Sequence, residues 1–138
     1  MTARFRVVFS VLVALSILTV FLAGLPANRM FSFQLLRERF GEVDVSDGVQ
    51  SDEADLIASE YLYLLLGPAG ACGGTADPAL ADGTWKVEIL FGFGGERTGR
   101  WISVDSIHGG VTSPGGPSYA DFGSFRRARL LSVVVHGR

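Results

Sequence analysis

At 138 residues, with 48% hydrophobic content and a net charge of -2, the chain has room for one domain of ordinary size with a modest core. Its single cysteine, Cys72, excludes an intrachain disulfide framework and a multi-cysteine zinc site. All 14 acidic residues lie from Glu38 to Asp121, whereas residues 122–138 hold Arg126, Arg127, Arg129 and Arg138 and no acid. Such a tail suits phosphates or anionic lipid, but a strand whose arginines sit beside the acidic middle of the protein is the simpler account, and no nucleic-acid partner is expected.

Arg4 and Arg6 precede an uncharged apolar run from Val7 to Leu25. As a helix it spans about 28 Å at ~1.5 Å per residue, close to the hydrocarbon thickness of a bilayer. Residues 1–27 are therefore expected to form an N-terminal transmembrane signal anchor, in contact with membrane lipid through residues 7–25. Leu25-Pro26-Ala27 does not meet the A-x-A cleavage pattern, so an uncleaved anchor is expected over a cleaved signal peptide. The charged-then-apolar order places the C-terminal domain outside the cytoplasm, secreted if the segment is cut. Residues 28–50 form a juxtamembrane segment and linker. Phe33, Leu36 and Phe40 stand at helical spacing among Arg29, Arg37 and Arg39, which suits an interfacial helix or an extension of the anchor. Residues 42–50 read as a polar linker.

Residues 51–138 form the domain proper. Ser51 is placed to cap a helix, Asp52, Glu53 and Asp55 complement its dipole, and Gly67-Pro68 stops it. Ala54, Ile57, Ala58, Tyr61, Leu62 and Leu65 make one apolar face of that helix. Residues 67–83 read as a mobile Gly/Ala-rich loop carrying Cys72. From Thr84 to Phe91 the apolar residues Trp85, Val87, Ile89 and Phe91 alternate with the rest, a strand with one buried face. Gly92, Gly94, Gly95 and Gly99 then turn the chain into a second β-rich run at residues 101–104, so a hairpin is expected. In the segment 104–111, Asp105 opens a tight turn by accepting backbone N–H bonds, and Gly109 closes it. The run Arg129 to Val135 reads as an additional strand.

Ala54, Ala58 and Tyr61 on the helix, Trp85 and Val87 on the first strand, and Val104, Asp105, Gly109 and Val111 at the turn together resemble the PepSY family of bacterial exported modules, over about residues 51–113. His108 stands where that family usually has threonine. The resemblance implies a helix laid across an antiparallel sheet and a non-enzymatic module that binds or restrains a protein partner such as a peptidase. One helix with several hairpin-spaced strands points independently to an α+β fold, one main helix packed on a three- to four-stranded antiparallel sheet.

No residue set carries catalysis. The glycines at 92, 94 and 95 lack phosphate-loop spacing, and the turn accounts for Asp105 without a catalytic role for His108, Ser103 or Ser106. His108 and His136 are too isolated to propose a metal site, and no cofactor is expected. Trp85 and Trp101 form either a cross-strand core pair or, on an open sheet face, anchors for a peptide partner. Two other functions remain open: a ligand-binding or enzymatic domain with a pocket between helix and sheet, and a structural subunit of a membrane complex.

Overall fold

A computed structural model describes residues 3–67 and 73–137. Three α-helices and a short 3-10 turn accompany one antiparallel sheet, an α+β arrangement. Helix α1 runs from Ala3 to Gly41, the 3-10 turn from Val45 to Asp47, and helix α2 from Ser51 to Leu66. The strands are β1 (Gly73–Thr75), β2 (Ala79–Ala81), β3 (Thr84–Phe91), β4 (Glu96–Asp105) and β5 (Val111–Thr112), and helix α3 (Phe122–His136) closes the chain. β3 is central. β4 pairs along one side of it, β1 and β2 share the other side, and β5 pairs with β4.

The strand alternation sorts the sheet into two faces. Val87 of β3 and Ile102 and Val104 of β4 are buried together with Ala54, Ile57, Ala58 and Tyr61 of α2. Each such large side chain contributes about 1.5–3 kcal/mol by leaving water, so this helix-to-sheet layer is strongly stabilising. In the same core, Phe40 of α1 meets Phe122 and Phe125 of α3 edge-on, with ring centroids 5.5 and 5.8 Å apart. Tyr61 joins the two layers: its ring lies 6.1 Å from that of Phe125, and its hydroxyl donates to the Pro117 carbonyl at 2.6 Å. Burial pushes the Tyr61 phenol above its ordinary pKa.

Several expectations are corrected. Among the described residues no helix is long and apolar enough to cross a membrane, which overturns the transmembrane anchor and the single-pass membrane location. The helix that carries the apolar run continues without a break into Arg29, Arg37 and Arg39 and ends against the core of the domain. Nor is the second half of α1 an interfacial segment: Leu36 and Phe40 belong to the core. The linker is tied down as well. Glu53 accepts hydrogen bonds from the backbone N–H groups of Asp44 and Gln50, both at 2.8 Å, and Val49 is buried, so Gln50 caps α2 and Ser51 is its first residue.

The C-terminal run is a helix and not a strand. Asp121 caps it, its carboxylate accepting from Ser124 N–H at 2.7 Å, and Phe122, Phe125, Arg129 and Val133 recur at helical spacing on the buried face. Two short strands, β1 and β2, occupy the part of residues 67–83 expected to be loop, so the sheet has five strands. Cys72 lies outside the described residues.

Candidate functional site

The helices pack on the sheet face that carries Val87, Ile102, Val104 and Val111, and among the described residues no helix covers the other face of β3, β4 and β5. Cross-strand register assembles that face: Lys86 opposite Ser103, Glu88 opposite Trp101, Thr84 opposite Asp105, and Thr112 opposite Ser103 on the outer side. Between the Glu88–Trp101 and Leu90–Arg97 pairs the register breaks, so that Ile89 alone faces residues 98–100. This bulge frees the Gly99 N–H, and the Glu88 carboxylate fills the gap, accepting from it at 3.2 Å and from the Arg97 guanidinium at 3.0 Å. Glu88 is thereby only 4% exposed although it sits on the uncovered face.

The two tryptophans do not meet. Trp85 lies on the helix side, half-buried, and its indole N–H donates to the Val49 carbonyl at 2.8 Å, fastening the segment before α2 to the sheet. Trp101 lies on the uncovered face, 41% exposed. The hairpin that carries it ends in Phe93, which is fully exposed.

At the other end of β4, the Asp105 carboxylate accepts from the N–H groups of Ile107 and His108 at 3.1 and 2.6 Å through the same oxygen, and His108 Nδ1 approaches that oxygen at 3.4 Å. The His108 N–H, foremost among these, holds the Asp105 carboxyl below its ordinary pKa. Gly109 follows at φ +66°, and a Cβ there would lie 2.9 Å from Phe122 Cβ, so both conformation and space exclude a side chain. The neighbouring Gly110 is equally constrained, because a Cβ would stand 2.5 Å from the Ala120 carbonyl oxygen.

This turn and residues 118–120 wall a shallow groove of about 430 Å³ on the uncovered face, floored by Thr84, Lys86, Ser103 and Thr112. Lys86 Nζ donates to Ser103 Oγ at 2.8 Å. Of the run expected to border a pocket between helix and sheet, Tyr61 and Leu62 are buried, whereas Tyr63 and Leu66 are exposed. Among the described residues no group of three His, Cys, Asp or Glu side chains is placed to hold a metal ion. Lys86, Glu88 and Arg97 are the members of this face that sequence reasoning missed. Their alternation along β3 marks a polar strand face, but which residues oppose them depends on a register that the bulge alters.

Comparison with family models, curated proteins and solved structures returns no match to this chain.

Proposed function

We propose that this chain is a non-enzymatic interaction module that binds a protein partner through the uncovered face of its β3–β4 hairpin. The observation that carries the reading is the contrast between the tryptophans: Trp85 is consumed by the fold, whereas Trp101 is presented on a sheet face that no helix covers. A large amphipathic ring on a rigid strand is the kind of anchor that dominates interface energies. Phe93 at the tip of the same hairpin adds a second exposed aromatic. The PepSY resemblance supports the same class of function, because the residues that carry it fall at the helix-to-sheet contact (Ala54, Ala58, Tyr61, Val87, Val104) and at the turn, all of them positions of scaffold. A peptidase is the partner that resemblance implies.

The test is site-specific photocrosslinking in cells that produce the full chain, with the reactive side chain at position 93 or 101 and a control at exposed Val135 of α3. A defined adduct from the hairpin positions, absent from the control and lost in Trp101→Ala at unchanged thermal stability, is the expected result. Adducts that are indifferent to position, or none at all, would refute the reading.

A further inference from the structure

The groove beside the Asp105 turn presents two opposite charges that do not satisfy each other. Lys86 pairs with Ser103 and Asp105 with Thr84, so Lys86 and Asp105 are diagonal neighbours on one sheet face, at about 7–8 Å between Cα atoms. No ion pair joins them among the described residues. The Lys86 ammonium gives one of its three protons to Ser103 Oγ and keeps two for other acceptors. At Asp105 every contact converges on Oδ1, from Ile107 N–H, His108 N–H and His108 Nδ1, and the second oxygen accepts no hydrogen bond from the described residues. The Asp105 side chain is nonetheless 45% exposed and lines the groove with Lys86, which leaves the carboxylate accessible to a ligand. The carboxylate lone pairs and the ammonium protons thus border the same space.

We propose that this groove binds a small zwitterion of amino-acid size, with its carboxylate on Lys86 and its ammonium on the second carboxylate oxygen of Asp105. The volume, about 430 Å³, falls at the lower end of small-ligand sites. A dianion such as phosphate fits poorly, because the Asp105 charge stands in the same groove with a single lysine to offset both. A purely cationic ligand meets the lysine. Only a molecule carrying both signs uses both groups, and the Thr84, Thr112 and Ser118 hydroxyls supply neutral bonds around it. The site is separate from Trp101 and stands or falls independently of a protein partner.

Amide-resolved NMR of the full chain, titrated with glycine, L-alanine, L-serine and L-leucine through the millimolar range, tests the assignment. Saturable shifts at Thr84, Ser103, Thr112 and Tyr119 are expected for at least one amino acid. N-acetyl-amino acid, which keeps only the carboxylate, and amino-acid amide, which keeps only the ammonium, should each bind several-fold more weakly. Lys86→Met should weaken binding likewise. So should Asp105→Asn, whose amide oxygen preserves the turn and keeps the variant folded, as its unchanged amide spectrum outside the groove would verify. Saturation by none of the four amino acids, or equal binding of the singly charged analogues, overturns the proposal.

Discussion

Glu60 and Glu88 are equally buried, at 3% and 4% exposure, yet they hold together different kinds of structure. Glu60 stands on α2 and divides its oxygens between two helices: one faces Arg39 of α1 at 2.7 Å and the other Arg129 of α3 at 3.1 Å. The Arg129 side chain is itself 7% exposed and lies over the Tyr63 ring, 5.7 Å from its centroid. Glu88, in the sheet, divides its oxygens between a backbone N–H in the β4 bulge and Arg97, a side chain that is 76% exposed. Burial of the carboxylate is therefore a poor guide to its importance. What matters is whether its partner can return to water when the carboxylate is removed.

Glu60→Ala should break this comparison most forcefully. It leaves the buried Arg129 charge without its carboxylate, and a loss of about 3–5 kcal/mol is expected in denaturant unfolding. A loss below ~1 kcal/mol would mean that α3 shifts to release the arginine. In the sheet the effects should be smaller and unequal. Glu88→Ala strands the Gly99 N–H and should cost about 1–3 kcal/mol, whereas Arg97→Ala opens the Glu88 carboxylate to water where the exposed guanidinium stood and should cost at most about 1 kcal/mol. Faster hydrogen exchange at Gly99 in Glu88→Ala, but not in Arg97→Ala, would locate the difference in the bulge.

Asp105 gives the mildest effect. Its pKa is lowered in the folded protein, so its contribution is fully present above the unfolded value of about 3.9 and disappears as pH falls through the lower folded value. Asp105→Asn should lower neutral stability slightly, by the contribution the carboxylate makes there, and flatten that part of the acid limb so that the two proteins converge in acid. An acid limb identical to that of the parent protein would show that other carboxylates carry it.

Legibility in the sequence tracks how local the determining contacts are. The β3–β4 hairpin and α2 are readable because alternation, helical spacing and flanking glycines act within a few residues, and so is the Asp105 turn. The final helix is masked in the sequence because Val133, Val134 and Val135 favour strands by propensity, while Phe122, Phe125, Arg129 and Val133 need a core against α1 to express their helical spacing. Asp121 and Ser124, three residues apart, were the signal that names the helix start. The groove was hidden for a different reason. Lys86 and Asp105 are 19 positions apart, and only the register of two strands makes them neighbours. Glu60 and Arg129 are further still, joined by a contact that no spacing rule anticipates.

The divided outer edge of the sheet has a consequence for how the molecule behaves in a crowd. Neither β1 nor β2 offers more than three residues along β3, and Pro78, which has no N–H to donate, falls in the gap between them. On the opposite side β5 is two residues long and is closed off by reciprocal bonds between Val111 and Tyr119, both at 2.9 Å. An incoming strand thus finds no long ladder along β1 and β2, whereas β5 covers only Ser103 and Val104 of β4 and leaves residues 96–102 as an edge interrupted by the bulge at 98–100. A template for growth by its own chains is withheld along β1 and β2 by their shortness, and along the tryptophan-bearing β4 by the bulge that breaks the ladder.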